Sequence, residues 1–291
     1  MKIAMMTDHI ARRVGQEEAI KEIAAIGYDA VDISYFGCMD DNDEMMKGDY
    51  LGHAKHLKEV CDKVGIVPVQ AHSPFPIHRD GDEEWNDKMV KVTEKVLRSC
   101  AILGIKNCVV HPWNNWDAER NKEWFDQFLP LCEELGVTIC TENMFNWDNS
   151  KDIAALAACS TPEDFLRHCE TVNHKNFKAC VDIGHASMFP HLENVSPAKM
   201  IKTLGNKYVR CLHVHDNDLR HDCHNSPFRG NVDWEKVIEA LQDIGYDGDL
   251  VVETTHRNDA PLEIIIAYAK FQLVAMKYLR DRILENHRNN K

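Results

Sequence analysis

Eight short apolar runs recur along the chain, each followed by an amphipathic segment, and this alternation constrains the fold more than any other feature. The runs are residues 2–8 (KIAMMTD), 30–36 (AVDISYF), 67–73 (VPVQAHS), 107–113 (NCVVHPW), 138–144 (TICTENM), 177–185 (FKACVDIGH), 209–216 (VRCLHVHD) and 249–255 (DLVVETT). They are nearly continuously apolar, as strands buried on both faces must be. Between them the period is helical: in 86–103, Met89, Val90, Val92, Val96, Leu97 and Cys100 recur near every 3.6 residues. Segment 233–244 opens with an acidic first turn. The last helix follows NDAPLE, where Asn258 or Asp259 suits the cap and Pro261 the first turn. Joins such as IGYDAVDI, ILGIKNCVV and ELGVTICT place a glycine between a helix and the next strand. Eight such units predict one α/β domain over residues 1–291, a (β/α)8 TIM barrel with its active site at the C-terminal strand ends. A doubly wound sheet would need a glycine-rich turn after the first strand, and MMTDHIARR has none. The charged tail, 280–291, is expected to fray.

Composition narrows the partners. A formal charge of −13 repels nucleic-acid phosphate, and the segments 40–46 and 80–87 are acidic. No apolar run approaches the ~18 residues of a membrane helix. The start of the chain has no signal-peptide pattern, which points to a cytoplasmic protein. Eleven cysteines occur without a CxxC pair, and Cys108, Cys140, Cys180 and Cys211 lie inside apolar runs, as buried thiols in a reducing compartment would. Asp41, Asp43 and Glu44 read as a solvated loop, and His53, His56, His174 and His287 as surface residues.

The strand ends carry the chemistry. The third run ends near His72, the fourth near His111, and the fifth in Glu142 and Asn143. Asp182 and His185 follow in the sixth, His213 and His215 in the seventh, and Glu253 in the eighth. Bringing that many carboxylates and imidazoles to one barrel mouth is costly unless a divalent cation neutralises them. The mixed nitrogen and oxygen donors suit Mn, Co, Zn or Mg and do not choose among them.

The segments TENM (141–144), VDIGHAS (181–187), HVHDND (213–218) and VVET (251–254), in this order and spacing, resemble the xylose isomerase-like barrel superfamily. That group holds sugar and sugar-phosphate isomerases and epimerases, and also apurinic-site nucleases of the endonuclease IV type. The resemblance covers essentially the whole chain. It implies one metal on Glu142, Asp182, His215 and Glu253, with His215 preferred to His213 because the second histidine of the family's H-x-H ligates. It implies a metal-dependent isomerase or epimerase that abstracts a proton beside a carbonyl, with Glu142 and Glu253 on either side of the reacting carbon. His185 and Arg220 are then substrate-binding residues, with Trp113, Trp116, Phe75 and Phe145 as an apolar wall. The nuclease branch uses further ligands, whose positions are filled here by His72, His111, His185, Asp222 and His224; these stand as additional metal or substrate contacts. The alternative function is therefore a multinuclear phosphodiesterase or apurinic-site endonuclease. It would need a basic rim, for which only Arg12, Arg13, Arg220 and Arg229 are at hand. The expected partner is a small sugar or sugar phosphate, and a homo-oligomer is compatible with the sequence.

Overall fold

The computed structural model of the protein describes residues 1–36, 43–254 and 260–289. Asp41, Asn258, Asp259 and the last residue of the 249–255 run lie outside the described residues, as does the side chain of His287. The eight apolar runs become eight parallel strands: β1 Ile3–Met6, β2 Ala30–Ser34, β3 Val67–His72, β4 Asn107–Val109, β5 Thr138–Glu142, β6 Phe177–Asp182, β7 Val209–Val214 and β8 Leu250–Val252. Each pairs with its sequence neighbour, and β1 closes the ring on β8 through the pairs Ile3↔Leu250, Ala4↔Val251 and Met5↔Val252. The fold is a single-domain (β/α)8 barrel.

Helices form where the 3.6 period predicts them, and their ends are set by local chemistry. The helix Glu83–Leu103 starts because Asp82 accepts a hydrogen bond from the Trp85 amide. It buries Met89, Val92, Val96, Leu97 and Cys100, while Val90 is only partly covered. It stops at Gly104, whose φ of 77° a side chain would resist, and Gly136 ends the helix before β5 in the same way. The Trp234–Asp243 helix is capped by Asp233, which accepts from the Lys236 amide.

Two local features depart from the sequence reading. The run 177–185 is strand only to Asp182; a short helix, Ile183–Ser187, follows and carries His185 on its first turn. Residues 146–148 and 153–155 form a small antiparallel hairpin beside the barrel. The charged tail continues the last helix to Asn289, with Ile283 buried and Arg282 paired with Glu235 at 2.6 Å. No helix among the described residues is long and apolar enough to cross a membrane.

The two-residue strand period organises the interior. Outward residues such as Ile3, Val31, Cys108, Ile139, Val181, Leu212 and Val252 join the core between barrel and helices. Inward residues form a narrow small-residue layer: Ala4, Ala30 and Val251 with Val69 on one side, and Val109, Cys140, Cys180 and Cys211 on the other. Two residues further along the same strands, on the same face, stand Met6, Asp32, His111, Glu142, Asp182, His213 and Glu253. The small layer is thus the floor under the polar residues.

Candidate metal centre

Strand register decides which polar residues meet. Asp182 pairs with His213 across β6 and β7, and His213 pairs with Val251, two residues before Glu253. By register Glu253 stands beside His215, yet it is the His213 ring that reaches the carboxylates of Glu142, Asp182 and Glu253. Its Nδ1 lies 2.7 Å from Glu253 Oε2, 3.1 Å from Glu142 Oε2 and 3.8 Å from Asp182 Oδ2. His215 stands two residues higher on the same face and belongs to a neighbouring group. Its Nε2 approaches Asp182 Oδ1 at 2.9 Å, and its ring stacks on His224 with centroids 4.0 Å apart.

Among the described residues, three groups bring potential ligand atoms within 4.8 Å of one another, the first two sharing Glu142 and His213: Glu142, Asp182, His213 and Glu253; His72, Glu142 and His213; and His185, His215, Asp222 and His224. His111 adjoins the second group, its Nε2 3.2 Å from Glu142 Oε2 and 3.0 Å from His72 Nε2. Asp222 Oδ2 lies 2.9 Å from His224 Nε2 and 3.6 Å from His185 Nε2.

Two observations fit these groups to cations. His215 Nδ1 and Asp222 Oδ1 are buried and have no hydrogen-bond partner among the described residues, and Glu142 Oε2 and His213 Nδ1, though close to each other, make no well-aligned hydrogen bond, an arrangement that costs stability without a further ligand. Three histidines are also held in one tautomer by main-chain carbonyls: Nδ1 donates to Ser73 O from His72, to Asn143 O from His185 and to Glu253 O from His224. Each then turns Nε2 to the site, the nitrogen a cation would take in place of a proton, as ligating histidines do.

Local structure holds these parts still. Asn143 clamps β5 to β6, its amide donating to Asp182 O while its carbonyl accepts from the Asp182 amide. Gly184 gives His215 its place, since a Cβ there would fall 1.9 Å from His215 Cε1. Asp216 anchors the loop that carries Asp222 and His224. It accepts from Trp234 Nε1, from the Val232 amide and from the Asn217 amide, each near 3 Å.

The electrostatics follow from this crowding. Burial alone would raise the Glu142 carboxyl, but His213, His111 and His185 hold it well below the usual carboxylate range. Glu253 is likewise driven down, against its burial, chiefly by His213. Burial would lower His185 and His213, yet Asp182 and Asp222 raise the first, and Glu253 and Glu142 the second. His224 is held at about 9 against its burial by Asp222. Asp32 is pushed up to about 6 by burial, although His213 and His72 pull it the other way.

A cavity of about 470 Å³ opens above the cluster. His111, Glu142, His185, Asp222, His224 and Glu253 line its polar side, and Phe36, Phe75 and Phe145 part of its apolar side. Trp113 and Trp116 are not in this wall. They pack on His78, with ring centroids 5.5 and 4.8 Å from it, and against the core between barrel and helices. Arg220 also lies elsewhere, exposed on the loop surface in an ion pair with Asp152. The sequence reading passed over Asp8, His9 and Met6 as lining residues and placed Arg12 only in a general basic rim. Their signal was position, since all follow or end β1.

A sequence profile of the xylose isomerase-like TIM barrel family matches residues 20–272, and the chain belongs to that family. An uncharacterized protein of Methanocaldococcus jannaschii is 30% identical over 222 residues, 71% of this chain and 70% of its own length. D-psicose 3-epimerase of Ruminiclostridium cellulolyticum is 29% identical over 137 residues, 47% of this chain and 41% of that enzyme. Among solved structures, a D-tagatose 3-epimerase-like protein superposes with a TM-score of 0.76 at 22% identity, covering 98% of this chain and 99% of its own. A D-psicose 3-epimerase in the presence of D-fructose gives 0.73 at 16%, covering 96% and 99%. At such identities these two structures speak for the fold.

Proposed function

Taking membership of this barrel family as the premise, we propose that the protein is a divalent-cation-dependent isomerase or 3-epimerase of small sugars, working by proton removal beside a carbonyl. One observation carries the reading: Glu142 and Glu253 reach the same cavity from separate strands and flank the same nitrogen of His213. The names of the epimerase relatives point to the same substrate class.

A cation of the Mn, Co, Zn or Mg type would be held by Glu142, Asp182, His213 and Glu253, and supplies Lewis-acid stabilisation of the charge that develops on adjacent substrate oxygens. The chain's own residues do the rest. Glu142 and Glu253 are carboxylates at neutral pH, so either is ready to accept a proton. One removes it from the substrate carbon, and the other, or water, returns it from the opposite face. His185, its Nδ1 fixed by Asn143 O, presents Nε2 to the cavity for a substrate hydroxyl. Phe36, Phe75 and Phe145 exclude water from the reacting carbon. Arg12 is the one Arg or Lys among the described lining residues, and Asp8 already engages it at 2.9 Å. That favours an uncharged sugar over a sugar phosphate.

The hydrolase reading draws on the two neighbouring groups, which would accommodate further cations. The net charge of −13 and the scarcity of cations around the cavity weigh against a nucleic-acid phosphate substrate. The test is solvent deuterium incorporation into a panel of ketoses by Mn2+-loaded protein. Exchange at the carbon beside the carbonyl, falling by roughly 10²–10⁴ in Glu142→Gln, is expected. No exchange with any ketose, together with cleavage of apurinic DNA, would transfer the protein to the hydrolase branch.

A further inference from the structure

A contact that crosses the barrel interior reaches the back of His213. Asp32 of β2 and Gln70 of β3 face inward and are almost wholly buried. Gln70 Nε2 lies 2.6 Å from Asp32 Oδ2 and 3.0 Å from His213 Nε2. In the closed ring, β3 and β7 have three strands between them in either direction, so the amide spans the full width of the barrel. An amide and a carboxyl placed in this layer, with Asp32 Oδ1 lacking any partner, cost stability that apolar residues would not.

We propose that Gln70, anchored by Asp32, is the positioning residue for His213, fixing the ring so that Nδ1 faces Glu142, Asp182 and Glu253. The inference rests on reading those four residues as a cation site. His72, His185 and His224 have their second ring nitrogen held by main-chain carbonyls. His213 lies inside a strand, where neighbouring carbonyls are engaged in the barrel ladder, so a side chain must serve instead. An amide can serve the ring in both of its states. With its nitrogen toward Nε2, the amide donates to a neutral ring that keeps its proton on Nδ1. Turned by half a revolution, it offers its oxygen to an Nε2 proton once Nδ1 is given over to a cation. Asp32 must then face that oxygen as the acid, a donor role that an Asn at this position would fill equally. The ring is further steadied by stacking on His72, with centroids 5.5 Å apart and planes inclined by 21°.

The experiment compares EDTA-stripped wild type, Q70L and D32N, full length, by calorimetric titration with Mn2+ and by the visible absorption of bound Co2+. Loss of such a support weakens metal affinity by about 10–100-fold, and this is expected for Q70L together with an altered Co2+ spectrum. D32N keeps wild-type affinity, because the introduced amide can donate to or accept from Gln70. Should Q70L fail to fold, Q70E binds weakly through repulsion of Asp32, and the Q70E/D32N double variant recovers. Wild-type affinity and spectrum in Q70L would overturn the inference while leaving the cation site standing. So would a loss in D32N equal to that in Q70L, which would make negative charge the cause. Failure of the wild type to bind Mn2+ would overturn both the inference and the cation reading beneath it.

Discussion

Replacing Asp32 with Asn should stabilise the metal-free protein, and by an amount that grows with pH. Burial raises the Asp32 carboxyl from 3.8 to about 6, with His213 and His72 opposing that shift. Between those two values the folded chain holds a proton that the unfolded chain has released, so stability falls as pH rises through this window. Above it the full cost applies: 6 minus 3.8, at 1.36 kcal/mol per pH unit, is about 3 kcal/mol. At pH 5 the same linkage gives only about 1.5 kcal/mol, because part of the folded population is protonated. Asn has the same shape, no charge to bury, and both a donor and an acceptor for Gln70. Urea unfolding of both proteins in excess EDTA, at pH 5 and pH 7.5, measures the two differences. D32N should be the more stable by about 1.5 and then about 3 kcal/mol. A gap that does not change with pH, or a less stable D32N, would refute the reasoning.

Gly184→Ala drives a methyl into the His215 ring and should cost about 1–3 kcal/mol, measured by thermal or urea unfolding; an unchanged stability would show that His215 is free to move away. Arg220→Ala should leave stability within about 1 kcal/mol and ketose exchange near wild type, because its exposed pair with Asp152 lies away from the cavity; a large loss of exchange would restore it as a substrate contact. Mn2+ affinity should weaken as pH falls from 8 to 6, since His213 binds a proton more tightly than free histidine and a cation must displace it. The expected slope is about tenfold per pH unit for each proton displaced, and an affinity independent of pH would contradict it.

The barrel was legible because strand and helix periods are local properties, and the polar residues at its mouth because they end the same apolar runs. Depth was not legible. His213 and His215 share a face, and only the closeness of the His213 ring to Glu142 and Glu253 in the folded barrel sets it apart from His215. Loop direction was equally hidden, which is why Trp113 and Arg220 were expected at the cavity and stand away from it. Asp32 and Gln70 did leave a trace: each is a polar residue at an inward position of an otherwise apolar strand. A strict count of the two-residue period would have marked both as functional or costly.

The central claim is that four strand-borne side chains, His213 among them, form a cation site. Anomalous diffraction from crystals soaked in Mn2+ tests it most directly. A peak shared by Glu142, Asp182, His213 and Glu253 is expected, with His213 ligating through Nδ1. A cation on His215 with the His213 ring turned away, or no peak among these carboxylates, would contradict it.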